Sequence, residues 1–367
     1  MIHLKGKEGK KKRFTTQLIN WYHQHKRILP WRNTNDPYKI WLSEIILQQT
    51  RVAQGLPYYQ RFVTQYPTIH ALAQATEEQV LRLWQGLGYY TRARNLHTCA
   101  RTIVAQFEGI FPNNYQILLS LKGIGPYTAA AIASIAFKEP SAVVDGNVYR
   151  VLARVFGISS DIASTKGKKD FYTLASSLVP HGEPDIYSQA IMEFGALQCT
   201  PQPSCATCML QQDCNAFVTK RQSLLPVNNR KIKLKKRFFN YIVLQYGNTI
   251  YMRRREKKDI WKGLYDFYLV ETDKVVKVKQ LNDDLVIKLT THQLPIAHGV
   301  QQYHHTLTHQ KLLVNFTIVQ VNSHFLNNAQ PLLDQYKLYP FTLTATQELP
   351  KPILTHNFLK WFSEEYV

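Results

Sequence analysis

The stretch FVTKRQSLLPVNNRKIKLKKRF, residues 217–238, carries eight basic side chains and no acidic one, and the hydrophobic period changes across it. Before it, apolar residues recur every three or four positions, as in TTQLINWYHQH, EEQVLRLWQGL, YTAAAIASIAF and NVYRVLARVFG, a helical pattern broken by short loops. After it the period is two. NYIVLQY and TIYMRRR flank Gly247-Asn248, a hairpin signal, and KLLVNFTIVQV reads as a further strand. One packed layer cannot serve both periods, so the chain is expected to be multidomain, α followed by α/β. The expected parts are a basic, solvated arm at 1–13, a helical domain at 14–216, an extended basic linker at 217–238 and a mixed α/β domain at 239–367. With 367 residues, both domains can bury a hydrophobic core.

The charge narrows the partners. Lys and Arg number 45 against 25 Asp and Glu, a formal net charge of +20, which favours a polyanion such as nucleic acid. No apolar run is long enough to span a bilayer, and the basic start has no apolar segment behind it, so neither a membrane span nor a secretory signal is expected. Four of the five cysteines crowd together late in the chain, which fits a reducing cytoplasm better than a disulfide scaffold. A monomer is expected.

Those four, Cys199, Cys205, Cys208 and Cys214, lie in CTPQPSCATCMLQQDC with spacing C-x5-C-x2-C-x5-C. Four thiolates this close in sequence suit a [4Fe–4S] cluster. A structural zinc also accepts four sulfurs, though it more often uses two well-separated C-x2-C pairs. Cys99, inside RNLHTCARTIV, is expected in the core.

Two carboxylates stand out. Glu44 sits in IWLSEIILQQT with Ile40 and Trp41 one helical turn before it and Leu47 one turn after. An apolar face raises the pKa of a carboxyl set into it. Asp145, in VVDGNVYRVLAR, precedes Gly146 and Asn147 at the expected start of a helix, where free N–H groups lower a carboxyl pKa. Alone, Asp145 reads as a simple N-cap. Together, carboxyls in opposed environments suggest an acid and an anionic stabiliser, the pair that cleavage of a glycosidic bond requires. Between them, LKGIGPYTAAAI places Gly123 and Gly125 in a tight turn before a helix starting at Pro126, the form of a helix–hairpin–helix phosphate anchor or of a plain packing turn.

LPWR (29–32), PYKIWLSEIILQQTRV (37–52), LWQGLGYYTRARNLH (83–97), LKGIGPYTAAAI (121–132), VDGNVYRVLAR (144–154) and the cysteine loop together resemble the MutY-type adenine DNA glycosylases of the endonuclease III superfamily. The resemblance covers essentially the whole chain. It implies a helical helix–hairpin–helix domain with a [4Fe–4S] loop, followed by a NUDIX-like domain. The implied activity is removal of adenine mispaired with 8-oxoguanine in double-stranded DNA, the base being flipped into a pocket. Glu44 matches the family's catalytic acid and Asp145 the carboxylate that stabilises the cationic sugar. Tyr127 stands where lyase-active relatives carry a Schiff-base lysine, which implies a monofunctional enzyme. Gln49 and Tyr89 match residues that wedge into the base stack. Gln48 joins the substrate-binding positions, and Leu29, Trp31, Arg32, Val52 and Gln189 fall where the family lines its adenine pocket. Gly123, Gly125 and Lys122 are the implied backbone contacts. The interval between the first two cysteines is one residue shorter than the family's usual one.

In the second domain WKGLYDFY (261–268) matches the start of the NUDIX-like pattern and YHHTLTHQKLLVNF (303–316) its lesion-reading loop. The family reads Phe-Ser-His where this chain has Leu307, Thr308 and His309. Thr308 keeps a hydroxyl that can bond the damaged base, whereas Leu307 lacks a ring. A strand-capping Thr-His pair is the plainer reading of those residues. No glutamate-rich box of an active NUDIX hydrolase is evident. The alternatives are a glycosylase/lyase for oxidised pyrimidines, which needs an amine where Tyr127 stands, and a lesion-binding protein without catalysis.

Overall fold

The computed structural model describes residues 2–230, 233–274, 276–277 and 280–366, with side chains described except at 2–7, 296–301 and 365–366. The helices of the N-terminal half are α1 (Ile2–His25), α2 (Pro37–Leu47), α3 (Val52–Gln65), α4 (Ile69–Gln74), α5 (Glu77–Leu83), α6 (Thr91–Phe107), α7 (Tyr115–Ser120), α8 (Pro126–Phe137), α9 (Gly146–Phe156), α10 (Thr165–Ser176), α11 (Pro184–Leu197) and α12 (Asn215–Val218). Their starts follow local chemistry. Asp36 caps α2 by accepting from Tyr38 N at 2.9 Å, with Pro37 at the first helical position. Asp145 caps α9 by accepting from Val148 N at 2.7 Å. No helix among the described residues is long and apolar enough to cross a membrane.

Contacts divide the chain into two compact units, Met1–Gln74 with Asn95–Arg230, and Ala75–Arg94 with Lys231–Val367. In the first unit Phe14, Leu18, Trp21 and Tyr22 of α1 are buried against apolar residues of α8, α9 and α11, including Ile135, Val151, Leu152, Ile191 and Phe194. Burying each such side chain contributes about 1.5–3 kcal/mol. The basic arm expected at 1–13 is instead the first half of α1, and two of its basic residues are engaged. Lys10 Nζ donates to the Val155 carbonyl at 3.3 Å, and Arg13 pairs with Asp213 at 3.1 Å.

The expected domain limits shift in two places. Residues 75–94, α5 and the start of α6, pack with the second unit: Glu77 pairs with Arg254 at 2.7 Å, and Arg94 donates to the Lys262 carbonyl at 2.6 Å. The expected linker is one only in its middle. Leu225 is buried in the first unit and Ile162 N donates to the Val227 carbonyl at 3.0 Å, while the first strand has begun by Lys235.

The second unit contains the expected mixed sheet. Its strands are β1 (Lys235–Tyr246), β2 (Thr249–Arg254), β3 (Tyr265–Asp266), β4 (Tyr268–Thr272), β5 (Ile296–Thr306), β6 (Gln310–Gln320) and β7 (Tyr339–Thr342). The order is β3-β2-β1-β6-β5, with β4 also on β1 and β7 also on β2. β1 and β2 form the expected hairpin, with Tyr246 opposite Thr249 around Gly247-Asn248. β1 and β6 run parallel from Lys235↔Gln310 to Gln245↔Gln320. Helices α13 (Asp284–Thr291) and α14 (Ser323–Gln335) bury Leu285, Leu289, Phe325 and Leu333 against Ile242 and Leu244. After α15 (Leu343–Glu348), α16 (Ile353–Trp361) stacks Phe358 on Phe316 of β6 with ring centroids 4.4 Å apart.

Candidate active site

In the first unit, Leu29, Trp31, Arg32, Glu44, Val52, Tyr127, Asp145 and Gln189 line one cavity of about 190 Å³, together with Arg27, Asn147, Met192 and Glu193. Glu44 faces it from α2 together with Ile40, Ser43 and Leu47, while the buried Trp41 and Ile45 of the same helix lie away from the cavity lining. Burial pushes the Glu44 carboxyl up to about 7, Asp145 adding to the rise while a hydrogen bond from Tyr127 and the Arg32 charge oppose it. The Tyr127 hydroxyl, near the start of α8, donates to Glu44 Oε2 at 2.5 Å. A group poised near neutrality at the wall of a cavity can act as a general acid.

Asp145 is the N-cap expected from sequence, but the direction of its pKa is not the expected one. Burial raises it, and this outweighs the hydrogen bonds from Val148 N and Asn147 and the charge of Arg150. A helix start in a dry cavity is not electrostatically equivalent to an exposed one, because loss of water penalises the anion more than two or three donors favour it. The donors are themselves tied down: Asn147 Nδ2 donates to Asp145 Oδ2 at 3.0 Å, and Arg150 Nη2 donates to Asn147 Oδ1 at 2.8 Å. Arg150 also donates to the carbonyls of Cys199 (2.7 Å) and Gly195 (2.6 Å), joining the cavity wall to the cysteine loop.

Glu193 is a site residue that the sequence reading passed over. Its side chain is 1% exposed and takes Arg32 and Arg27 on both oxygens, each pair closing to 2.6 Å. Burial alone would raise its pKa, but the Arg32 and Arg27 hydrogen bonds prevail and hold it at about 2. Its contribution to stability is therefore present above the ordinary glutamate value of 4.5 and is lost as pH falls towards 2. Glu193→Gln is expected to lower unfolding free energy at pH 7 by about 3 kcal/mol, with the difference from wild type vanishing near pH 2. Urea titrations at both pH values check this.

The remaining candidates are distributed. Gln48 Nε2 donates to Thr128 Oγ1 at 3.2 Å, tying α2 to α8 away from the cavity lining. Gln49 is exposed with φ of 56°, and Tyr89, in the second unit, is 48% exposed with φ of 48°. Two non-glycine residues held in the left-handed region are strained, as residues at functional sites often are. Gly123 has φ of 82°, and a Cβ there would lie 2.6 Å from Asn95 Cβ, so the turn requires glycine. Gly125 precedes α8 with open space where a Cβ would stand and with no side-chain cap, and Lys122 is exposed.

Cys199, Cys205, Cys208 and Cys214 are free thiols lining one small cavity of about 20 Å³ beside Arg154. Arg154 donates to Cys199 Sγ at 3.5 Å and to the Thr200 carbonyl at 2.6 Å. Among the described residues, no three His, Cys, Asp or Glu side chains are grouped closely enough to hold a metal ion. Cys99 is buried, as expected. In the second unit Tyr89, Arg94, Asp259, Trp261, Thr308 and His309 line a cavity of about 340 Å³. There the Tyr89 and Thr308 hydroxyls are hydrogen-bonded to each other.

The chain matches two protein families, the HhH-GPD superfamily of base excision DNA repair proteins over residues 42–180 and the NUDIX domain over 240–361. An adenine DNA glycosylase of Buchnera aphidicola subsp. Baizongia pistaciae (strain Bp) is 34% identical over 86% of this chain and 89% of its own length. The adenine DNA glycosylase of Mus musculus is 45% identical over 56% of this chain and 42% of its own. A solved thermostable thymine-DNA glycosylase superposes with a TM-score of 0.54 at 29% identity, over 58% of this chain and 99% of that one.

Proposed function

This chain belongs to the adenine DNA glycosylase family, and from that premise we propose that it hydrolyses the N-glycosidic bond of adenine paired with 8-oxoguanine or guanine in double-stranded DNA. The observation that carries the reading is the meeting of Glu44, Tyr127 and Asp145 on one cavity with a neutral-range acid among them. Adenine flipped from the stack enters the cavity. Glu44 gives its proton to a ring nitrogen of the base. The bond from the sugar carbon to the base nitrogen then breaks, its electron pair going to the purine. The cationic deoxyribose that remains is stabilised by the Asp145 carboxylate, whose ionisation the neighbouring cation itself favours. Water adds to the sugar carbon and its proton returns to Glu44, leaving free adenine and an abasic site.

Tyr127 offers a phenol and no amine, so no Schiff base forms at that position. Single-turnover release of adenine from duplexes carrying adenine opposite 8-oxoguanine, guanine or thymine tests the function. Borohydride trapping on the same DNA is expected to yield no covalent complex, and a trapped complex would support the lyase reading instead.

No three of the cysteine thiols close on a single ion, but a four-iron cluster takes one thiolate per iron, and the four free thiols around one cavity, with Arg154 bonded to Cys199, fit a [4Fe–4S] cluster through Cys199, Cys205, Cys208 and Cys214. Bound there, the cluster would tie the four cysteines of the loop together, and none of those cysteines lines the cavity of Glu44. Iron and sulfide analysis of the purified protein checks the assignment, and zinc in their place would overturn it. Gly123, Gly125 and the open N-terminus of α8 offer N–H groups to a DNA phosphate, with Lys122 alongside.

In the second unit, Thr308 and His309 read the damaged base from the cavity they share with Tyr89 and Trp261. Thr308→Val keeps the shape and removes the hydroxyl. It is expected to reduce the preference for 8-oxoguanine over guanine by about tenfold, the worth of one hydrogen bond to a base. Competition between the two duplexes measures it.

A further inference from the structure

The Tyr127 hydroxyl has two acceptors within reach and one hydrogen to give. Glu44 Oε2 lies at 2.5 Å and the thioether of Met192, on α11, at 3.2 Å. A hydroxyl hydrogen turns about its C–O bond, and its oxygen can accept while it donates. We propose that Met192 is a positioning residue for the acid: its sulfur is the second station of a reversible hydrogen-bond relay between Glu44 and Tyr127. While Glu44 is ionised, Tyr127 donates to it. When Glu44 takes a proton from solvent, it donates to the Tyr127 oxygen, and Tyr127 turns its hydrogen onto Met192 Sδ. One proton enters and can later pass to the leaving base, with Tyr127 neutral throughout.

The physical need for the sulfur follows from the cavity. A protonated Glu44 that donates to Tyr127 displaces the phenolic hydrogen from its first acceptor, and a buried donor without a partner is costly. Met192 accepts it, weakly but at the right place. The sulfur thus favours the protonated form of Glu44, the form that can act as acid. Other charged and titratable groups also act on Glu44. Asp145 from α9 favours its protonation and Arg32 opposes it, while Arg27 and Glu193 stand on the same cavity wall. None of them offers the Tyr127 hydrogen its second place, since among the described residues its hydroxyl bonds only Glu44 and Met192.

The test is a titration of the Glu44 side-chain carboxyl by carbon-13 NMR in the full-length protein, the resonance assigned with Glu44→Gln. Met192→Leu, close in volume, is expected to lower the proton affinity of Glu44 about threefold, or about half a pH unit. Met192→Gln, whose amide oxygen is a stronger acceptor, is expected to restore or exceed the wild-type midpoint. In a Tyr127→Phe background, Met192→Leu is expected to move nothing. An unchanged midpoint in Met192→Leu, or a shift that persists without the Tyr127 hydroxyl, overturns the relay. The relay serves the glycosylase reading above, but its test does not depend on it. If the midpoints move as stated and no adenine is released from any duplex, the relay stands and the functional reading fails.

Discussion

Glu44→Gln is expected to reduce single-turnover release of adenine by about 10³-fold or more, within the range that a positioned general acid contributes. Binding to the mismatched duplex should change little, because Gln keeps the shape and still accepts from Tyr127. The wild-type rate should be greatest where Glu44 is protonated and fall about tenfold per pH unit above its midpoint of about 7. In Glu44→Gln the residual rate should lose that descending limb. Undiminished release by the variant would remove Glu44 from the mechanism.

The same substitution has an opposite consequence for stability. The Glu44 carboxyl rises from 4.5 in an unfolded chain to about 7 in the folded one. Between these values the folded state holds a proton that the unfolded state has released, so stability falls as pH rises through that window and stays reduced above it. The penalty is at most about 3 kcal/mol. Glu44→Gln removes it, so the variant should melt higher than wild type at pH 8 and show no such gain at pH 4. Calorimetry at the two pH values reads the difference. A catalytic acid held in an unfavourable environment is thus detectable as a defect in the fold, independently of any substrate.

What the sequence disclosed about this site depended on how local the cause was. Glu44 was legible because its apolar neighbours lie on its own helix, and Asp145 was legible as a cap because the cap donors follow it directly. The direction of the Asp145 shift was not legible, since the burial that sets it comes from elements remote in sequence, such as Tyr127 and Met192 on the same cavity. Glu193 could have been found by the reasoning used for Glu44. It is a lone carboxylate inside QAIMEFGAL, and only its two arginine partners, more than 150 residues away, distinguish it as a fixed anion. The assignment of residues 75–94 to the second unit had no local signal at all. Helical period is the same whichever core a helix packs on, so partners such as Arg254 for Glu77 emerge only in three dimensions. The basic arm was misread because charge alone does not end a helix whose next turns, from Phe14 onward, are anchored in the core.

Asp145→Asn separates the two jobs that this residue holds. Asparagine is as good an N-cap as aspartate, so α9 should start as before and Val148 N should keep its acceptor. What is lost is the negative charge beside the developing sugar cation. Removing one preorganised electrostatic partner of a transition state costs about 2.7–4 kcal/mol, so release should slow by about 10²–10³-fold. A second effect has a defined sign. The Asp145 charge helps to raise the Glu44 pKa, so its removal makes Glu44 more acidic and should move the descending limb of the residual activity to lower pH. A general loss of fold would instead reduce the rate equally at every pH and lower the melting temperature. The full pH–rate profile of Asp145→Asn, taken beside its melting curve, therefore distinguishes an electrostatic partner of the reaction from a helix cap that happens to face the cavity. An unmoved limb together with an unreduced rate would leave Asp145 with the cap alone.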